Sequence, residues 1–393
     1  MSEGPAIVAV GYNRPDALAR LLDALRRAAY RRAAPLVISL DCSGEAGPGA
    51  IAEAFDWPHG PKRIIRHPER LGLREHILRC GDLTRDYGGI VLFEDDIIPA
   101  PHFHDYVLRA MRFFEGDDRI GGIALYSYRL NEFDNRDFEP LDDGSDVFFL
   151  QVAASWGQAW SLRQWSGFRE WYARHKDEPF SVEDGTPRQL EAWRANSWKR
   201  FYIRYLVKTG RYFVYPRASL STNMAVPGTN TRRAVSIYQV PLDLAPREWH
   251  MLSLDRSRAR YDVFAEPEAE CLCALNPTLG EADFDVDLFG SKPGPALRRP
   301  RLLTSRAGKA DRGFGLLDGA PPAAAIVQNL GGDFFRIGAR ERFGSLSLRR
   351  RLKLIRATQS GRSLDALGFQ MLKPVQTELM IARQTRRGAS RSA

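Results

Sequence analysis

Three consecutive acidic residues stand at the end of an apolar run. Glu94, Asp95 and Asp96 directly follow the run at residues 90–93. Two carboxylates about 4 Å apart repel each other by about 4 kcal/mol at an effective dielectric constant of about 20, so the group needs water or a cation between its members. Mg²⁺ and Mn²⁺ prefer oxygen ligands and often combine one or two carboxylates with substrate phosphates. A solvated acidic turn is the alternative, but the position behind a run typical of a buried strand favours a metal–phosphate site.

Two further polar groups follow apolar runs earlier in the chain. Residues 11–15 (Gly-Tyr-Asn-Arg-Pro) come after the run at residues 6–10, and residues 41–44 (Asp-Cys-Ser-Gly) come after the run at residues 36–40. In an open parallel sheet, ligands bind outside the carboxyl ends of the strands, where such loops converge. The sequence therefore predicts that these two groups and the acidic triplet lie at one edge of a sheet.

The elements that must position these groups are visible in the hydrophobic pattern of the first 126 residues. Apolar runs of strand length alternate there with segments of helical period, and the first such segment begins at Pro15 and Asp16, a typical helix start. Its apolar side chains fall on one face: Ala17, Leu18, Leu21, Leu22, Leu25 and Ala28. Strand–helix repetition with short connections predicts an α/β fold with a doubly wound, mostly parallel sheet.

The rest of the chain gives weaker signals. Residues 127–146 are polar and acidic, which is typical of a loop or insertion. A helix is expected around residues 189–208, and short strands are expected at residues 324–327 and 334–337. The predicted parts are a main domain at 1–240, an accessory domain at 241–345 and a basic tail at 346–393.

The net charge of +9 is concentrated at the C-terminus. The chain has 57 Lys and Arg against 48 Asp and Glu, and the excess lies from Arg349 onward, so that residues 1–348 are close to neutral. A nucleic-acid binder would spread basic surface over its fold, so the pattern argues against that class. The basic segment also carries apolar residues at partly helical spacing, which fits either a helix on an anionic membrane surface or a solvated C-terminus.

Other classes of protein are excluded by simpler features. No apolar run approaches the roughly 18–20 residues that span a bilayer, and the N-terminus lacks the basic segment and the long apolar run of a signal peptide. Four cysteines are too few for a disulfide framework, and Cys271 and Cys273 alone do not have the spacing of a zinc site. We therefore expect a cytoplasmic protein, held at the inner face of the plasma membrane if its basic tail binds lipid.

Five segments together resemble a known enzyme family. They are AIVAVGYNRPDALARLLDAL, LVISLDCSG, GIVLFEDDIIPAPHFHDYV, AASWGQAW and NSWKRFYIRYLVKTGRYFVYPRASLSTNMAVPGTNT. This series resembles the GT-A type nucleotide-sugar glycosyltransferases, in particular their bacterial family-2-like branch, and is similar to the N-acetylglucosaminyltransferases of N-glycan branching. The resemblance runs from residue 5 to residue 232 and implies a GT-A fold for that part of the chain. Glu-Asp-Asp alone would be a weak match, whereas five segments in the same order are specific.

The resemblance implies a nucleotide-sugar donor and a divalent cation, Mn²⁺ or Mg²⁺. Asp96 would bind the cation directly, with Asp95 beside it in the metal site, and Glu94 and Asp95 would hold the ribose and the sugar. Asp41 would hydrogen-bond the base. Aromatic rings suit the apolar faces of pyranoses, and Trp156 is expected near the donor, whereas Trp160, Trp165 and Trp171 are expected in the core. The implied donor-binding residues are Asn13, Arg14, Asp41, Glu94, Asp95, Asp96, Trp156 and Asn230.

Two positions depart from the family pattern. Where the family carries the aspartate that deprotonates the acceptor hydroxyl, this chain has Asn196 and Ser197, and an amide cannot act as a general base. Where the family has Gly-Thr-His, this chain has Asn230, which can hydrogen-bond a phosphate but is a poor metal ligand.

Nearby acids are candidates for the missing base. Asp184 is the first, because related bacterial sequences carry a Gly-Asp pair at about this place, and Glu183 and Glu191 are the others. For Asp184, an exposed loop acid or a helix cap before Pro187 is an almost equally good interpretation.

The leading hypothesis is an inverting, metal-dependent glycosyltransferase of the hexosyl- or N-acetylhexosaminyl class. It would move a sugar to a glycan or a lipid-linked acceptor in bacterial surface polysaccharide or glycoconjugate synthesis. One alternative is a sugar nucleotidyltransferase, which is disfavoured because the first strand–loop lacks a Gly-rich phosphate motif. A second is a non-catalytic protein that binds a nucleotide sugar or glycan, as Asn196 would allow. The nucleotide, the sugar and the acceptor stay open at this point.

Overall fold

The computed structural model describes residues 4–224, 236–358, 372 and 375–382. The chain forms two compact units, each built from three stretches of sequence. The first unit comprises Met1–Ser127, Gly144–Glu178 and Ala195–Ser253, and the second comprises Tyr128–Asp143, Pro179–Arg194 and Leu254–Ala393. The domain boundaries expected near residues 240 and 345 stay predictions.

The strands are β1 (Ala6–Gly11), β2 (Leu36–Leu40), β3 (Lys62–Arg66), β4 (Gly89–Glu94), β5 (Ile97–Pro99), β6 (Ile120–Ala124), β7 (Val147–Leu150), β8 (Gln158–Ser161), β9 (Tyr212–Pro216), β10 (Ser221–Asn223), β11 (Arg260–Tyr261), β12 (Phe284–Asp287), β13 (Arg301–Thr304), β14 (Arg312–Phe314) and β15 (Phe335–Ala339). The helices are α1 (Pro15–Arg27), α2 (Gly47–Ala54), α3 (Leu73–Asp82), α4 (Thr84–Tyr87), α5 (Phe103–Phe113), α6 (Leu162–His175), α7 (Gln189–Ala192), α8 (Trp198–Thr209), α9 (Ala269–Leu275), α10 (Pro322–Val327) and α11 (Leu348–Thr358).

A large mixed sheet forms the centre of the first unit, in the order β7-β9-β6-β8-β4-β1-β2-β3. The pairs β1–β2, β2–β3, β1–β4 and β6–β9 are parallel. Strands β1 and β2 are buried along their whole length, which explains their continuous apolar sequence. The α/β class and the largely parallel sheet predicted from the sequence are thus confirmed.

Two strands of this sheet run antiparallel to a neighbour, β7 beside β9 and β8 inside the sheet. Strand β8 pairs antiparallel with both β4 and β6 and so joins the two parallel parts of the sheet. Hydrophobic periodicity predicts neither this direction nor this position, because both depend on partners that are distant in sequence.

Helix α1 illustrates how the local sequence shapes the unit. Pro15 occupies its first position, where a missing N–H costs nothing, and the helix ends in Arg26 and Arg27, which suit its negative C-terminal end. Its buried side chains are those on the apolar face predicted from the sequence, with Leu18, Leu21, Leu22 and Leu25 fully buried.

Two predictions of secondary structure were wrong. Residues 324–327 belong to helix α10 and not to a strand, because two prolines at its start and three consecutive alanines favour a helix over an extended chain. The helix expected over residues 189–208 is divided into α7 and α8 by residues 193–197. That interval contains Asn196 and Ser197, residue types that compete with the helical backbone for hydrogen bonds.

The second unit has its own sheet, in the order β12-β13-β15-β14, and its own hydrophobic core. Strand β15 confirms the prediction for residues 334–337. Helix α11, which falls in the predicted basic tail, contributes Leu354 to this core, while Leu348 and Leu352 are exposed on it. Within the described ranges, no helix is both long enough and apolar enough to cross a membrane.

Candidate functional site

A cavity of about 140 Å³, called the acidic cavity below, lies in the first unit at the carboxyl ends of β1, β2 and β4. The sheet register explains its position, since Val10 pairs with Glu94 and Gly11 pairs with Leu40. The loops that follow these three strands therefore begin at the same edge. Six predicted donor-binding residues line the cavity: Asn13, Arg14, Asp41, Glu94, Asp95 and Asp96.

Arg14 and Asp95 form a two-point ion pair in this cavity. Nε of Arg14 donates to Oδ2 of Asp95 at 3.2 Å, and Nη2 donates to Oδ1. The same Nη2 lies 3.4 Å from Oδ2 of Asp96. The Asp95 side chain is only 7% exposed, against 24% for Asp96. Burial raises the pKa of the Asp95 carboxyl to about 6, although the positive charge of Arg14 acts against the rise.

Glu94, the first carboxyl group of the triplet, is half-buried at the end of β4. Burial, followed by repulsion from Asp96 and Asp95, raises its pKa to about 8. The positive charges of Arg14 and Lys199 oppose this rise. Glu94 is therefore mostly protonated at neutral pH, and the triplet carries less negative charge than its composition indicates.

Asp96 is the carboxylate of this cavity that a divalent cation could reach, and its binding to a metal stays a prediction. Asp96 is partly exposed, while both oxygens of Asp95 accept hydrogen bonds from Arg14. In the part of the chain that the structure describes, no three His, Cys, Asp or Glu side chains converge to hold a metal ion by themselves. The arrangement suits a cation bound by one carboxylate together with the phosphates of a ligand, a common mode for Mg²⁺.

Asp41 holds the loop that opens helix α3. Its Oδ1 accepts hydrogen bonds from the backbone N–H groups of Leu71 at 2.8 Å and Cys42 at 2.9 Å, and its Oδ2 accepts one from Gly72 at 3.0 Å. Gly72 has φ +76°, a conformation that favours glycine. Asp41 is thus a positioning residue for one wall of the cavity, and its contact with a base stays a prediction.

Sequence reasoning placed Tyr12 at this edge of the sheet without giving it a role, and it missed Arg70 and His76. Arg70 and Tyr12 both line the cavity, with the Arg70 guanidinium 5.2 Å from the centre of the Tyr12 ring. His76 lies at its floor, where burial lowers the pKa of the imidazole to about 4 and Nε2 is 2.8 Å from Oγ of Ser39. Tyr12 lies in the first of the five family segments, so its position could be predicted from the sequence. Arg70 lies in the loop before helix α3 and His76 lies on that helix, and Asp41 holds this loop in place through hydrogen bonds.

Lys199, a buried lysine near the triplet, was also missed by the sequence analysis. Its side chain is buried on helix α8, and its Nζ lies 3.4 Å from Oγ of Ser155 and 5.4 Å from the ring centre of Trp156. Its charge lowers the pKa of Glu94, so the two groups are electrostatic neighbours. Trp156, which was predicted near the donor, packs against Tyr126 and Tyr238. Trp160, Trp165 and Trp171 are buried, as expected of core residues.

The position of the missing base is occupied by an amide. Asn196 lines the acidic cavity from the break between α7 and α8. A carboxamide can orient a hydroxyl group by hydrogen bonding but cannot accept its proton at neutral pH.

The three candidate bases lie in the second unit. Asp184 is buried, and its Oδ2 accepts a hydrogen bond from the backbone N–H of Ser181 at 3.3 Å. It is thus the reciprocal member of a capping box whose N-cap is Ser181, in a short 3-10 turn at residues 182–184, which agrees with the capping alternative. Glu183 is exposed and Glu191 is half-buried. Their roles in proton transfer stay predictions, and Asn230 lies outside the described residues.

Solved structures with some likeness to this chain are glycosyltransferases. The mannosyltransferase PcManGT from Pyrobaculum calidifontis, in complex with GDP-Man and Mn²⁺, is 15% identical, with a TM-score of 0.36 over 57% of this chain and 59% of that one. TarS from S. aureus is 8% identical, with a TM-score of 0.34 over 55% and 36%. Mouse xyloside xylosyltransferase 1 is 13% identical, with a TM-score of 0.34 over 53% and 84%.

These likenesses are partial. The chain spans 59% of the length of the mannosyltransferase and 36% of that of TarS. No protein-family model matches the sequence, and no curated protein matches it.

Proposed function

We propose that this protein is a GT-A type glycosyltransferase that binds a nucleotide-sugar donor in the acidic cavity. The observation that supports this most directly is the two-point pair between Arg14 and Asp95, which fixes a guanidinium beside the partly exposed carboxylate of Asp96. A diphosphate needs this combination, because its oxygens bind both a cation held by a carboxylate and a planar fork of N–H donors.

The side chains of the cavity have separate tasks in this proposal. Asp96 would hold Mn²⁺ or Mg²⁺ together with the donor phosphates, and the cation supplies charge neutralisation for the departing diphosphate. Arg14 binds and orients the same phosphates. Tyr12 and Arg70, already stacked at 5.2 Å, form a surface for the nucleoside. Glu94, at the end of β4, can hydrogen-bond a donor hydroxyl.

The proton of the acceptor hydroxyl needs a carboxylate that Asn196 does not provide. We assign it first to Asp184, with Glu183 and Glu191 as the other candidates, and infer an inverting hexosyl- or N-acetylhexosaminyltransferase. An acceptor that is a glycan or a lipid-linked glycan fits a role in bacterial surface polysaccharide or glycoconjugate synthesis.

A cytoplasmic location with peripheral binding to an anionic membrane belongs to the same proposal. It is supported by the basic excess from Arg349 onward and by exposed Leu348 and Leu352 on α11. Flotation with phosphatidylserine vesicles checks it, because R349Q/R351Q should weaken binding while R20Q on α1 should not.

The first experiment measures thermal stability with UDP, GDP, ADP, CDP and TDP, each with and without Mn²⁺ or Mg²⁺. A ligand at 100 times its Kd stabilises the folded state by about 2.7 kcal/mol, which gives a clear rise in Tm. We expect one nucleotide to raise Tm in a metal-dependent way. No rise with any nucleotide would contradict the donor site.

The second experiment separates catalysis from binding. Release of the nucleoside diphosphate from the matching nucleotide sugar is measured for the wild type and for Asp184→Asn, with Asp177→Asn on an exposed loop as the control. Loss of transfer with an unchanged Tm shift in Asp184→Asn supports the base assignment. Normal donor binding without turnover in the wild type would favour the alternative that Asn196 suggests, a non-catalytic nucleotide-sugar or glycan binding protein. Release of pyrophosphate from a nucleoside triphosphate and a sugar phosphate would favour a nucleotidyltransferase.

A further inference from the structure

A cavity of about 300 Å³, called the second cavity below, lies within the second unit. Its lining comes from the loop at residues 128–143 and from residues 254–358, to which the proposed function gives no task. The side chains that matter are three aromatic rings and three acids: Phe138, Tyr261, Phe289, Asp137, Glu139 and Glu266. Concave sites of this size that combine aromatic rings with a few polar groups are typical of small-ligand binding.

The aromatic rings of the second cavity are held in place by neighbours. Phe138 and Tyr261 meet edge to face, with ring centroids 5.1 Å apart at an interplanar angle of 87°. The Tyr261 hydroxyl accepts a hydrogen bond from the backbone N–H of Leu141 at 2.7 Å. The Arg136 guanidinium packs on the Phe289 ring, 3.9 Å from its centroid. Rings fixed in this way lose little conformational freedom when a ligand binds, so the site is preorganised.

Glu266 contributes a buried carboxyl group to the same lining. Its side chain is 0% exposed, and its Oε1 accepts a hydrogen bond from the backbone N–H of Phe289 at 2.8 Å. Its Oε2 has no hydrogen-bond partner among the residues that the structure describes. A buried polar atom without a partner is energetically unfavourable, so a ligand group that reached Oε2 would gain from pairing with it.

The turn that precedes Glu266 fixes its position. Oδ1 of Asp262 accepts hydrogen bonds from the backbone N–H groups of Phe264 at 2.8 Å and Glu266 at 3.1 Å. Between them, Ala265 has φ +59°, which is uncommon for a residue other than glycine. Burial, with repulsion from Asp287, raises the pKa of Glu266 to about 8, so its carboxyl group can donate as well as accept a hydrogen bond at neutral pH.

We propose that the second cavity binds a carbohydrate, through one or two pyranose rings. The apolar C–H face of a pyranose packs against aromatic rings such as Phe138 and Phe289, and its hydroxyl groups pair with carboxyl groups such as Glu266 and Glu139. A small organic cation is the other ligand that aromatic rings and carboxylates attract. The Arg136 guanidinium already covers one face of Phe289, and Arg129 offsets part of the acidic charge of the lining, so a neutral sugar fits better than a second cation.

Saturation-transfer NMR on the full chain tests this proposal. The probes are the methyl glycosides of glucose, galactose, mannose, N-acetylglucosamine, N-acetylgalactosamine, rhamnose and xylose, with choline as the cationic probe. No nucleotide or metal is present, so the result does not depend on the donor site. We expect at least one glycoside to give a signal and its Kd to rise about tenfold in Phe289→Leu and in Glu139→Gln.

Matched variants in the same unit serve as controls. Phe343→Leu removes another half-buried ring, and Glu281→Gln removes another exposed acid. Both should bind the glycoside as the wild type does, and melting curves check that all variants are folded. The proposal is overturned if no glycoside gives a signal, if choline alone does, or if neither Phe289→Leu nor Glu139→Gln weakens binding.

Discussion

The guanidinium of Arg14, just after β1, donates to both carboxylate oxygens of Asp95, just after β4. Because β1 and β4 are direct neighbours with Val10 opposite Glu94, the residues that follow each strand meet without a long connection. Asp95 is thus taken up by Arg14, while Asp96 is more accessible. The first two predictions test these separate roles.

Arg14→Lys should abolish the nucleotide-dependent rise in Tm although it keeps the charge. A lysine has no planar fork of donors, so it cannot bind Asp95 at two points and present N–H groups to a phosphate at the same time. We expect the free energy of unfolding to fall by about 1–3 kcal/mol, since Arg14 is partly exposed. The control is Arg20→Lys, an exposed residue on the same helix. An unchanged Tm shift in Arg14→Lys would argue against a phosphate contact.

Asp96→Asn and Asp95→Asn should differ in what they damage. Asp96 is partly exposed, so Asp96→Asn should leave the stability of the free protein almost unchanged and remove the metal-dependent part of nucleotide binding. Asp95→Asn should lower the free energy of unfolding by about 2–4 kcal/mol, because Arg14 would lose its buried partner. Calorimetric titration of the nucleotide with and without Mn²⁺ and urea unfolding measure the two effects. Asp56→Asn, at an exposed position, is the control, and identical behaviour of the two cavity variants would contradict the assignment.

Lys199→Met should weaken binding of the nucleoside diphosphate by about tenfold. The variant removes a buried positive charge next to Glu94 and keeps most of the side-chain volume, so the packing of α8 should survive. The nucleotide Kd is measured by calorimetry, and Lys208→Met, which changes an exposed lysine on the same helix, should bind as the wild type does. If the two variants bind equally well, Lys199 has a structural role only.

Glu266→Gln should flatten the dependence of stability on pH. The pKa of Glu266 is about 8 in the folded state and 4.5 when the carboxyl group is not buried, as in the unfolded chain. Between these two pH values the folded state therefore binds one more proton than the unfolded state. Stability contributed by this group therefore falls as pH rises from about 4.5 to 8. Glutamine stays neutral at every pH. The free energy of unfolding of the variant should therefore rise relative to that of the wild type by about 1.4 kcal/mol for each pH unit in this window.

Urea unfolding at pH 5, 7 and 9 measures this difference. Glu281→Gln, at an exposed position of the same unit, should follow the wild type at each pH. A parallel pH dependence of the wild type and Glu266→Gln would mean that the Glu266 carboxyl has an ordinary pKa in the folded protein.

The sequence predicted the sheet edge and its polar residues because these depend on short-range patterns. A buried run followed by acids, as at Glu94, is visible without knowledge of any partner. The pair of Arg14 with Asp95 is not, because it depends on which strands are neighbours. Lys199 was missed for a related reason: a lysine near a helix start is usually exposed, and only tertiary packing buries this one. Residues 324–327 show the opposite error, where a short apolar run fits either a strand or a helix.

The antiparallel strand β8 has a consequence for how the chain folds during synthesis. Strand β4 finds its parallel partner β1 early, but its other edge is covered only by β8, whose residues 158–161 emerge from the ribosome much later. At about 5–20 residues per second, the hydrogen-bonding groups along that edge wait several seconds for their partner. During this interval the nascent chain exposes an unpaired apolar strand edge. Such an edge can be bound by chaperones or can pair with another chain and start aggregation. Slow codons between residues 95 and 157 would lengthen that exposure and lower the yield of folded protein.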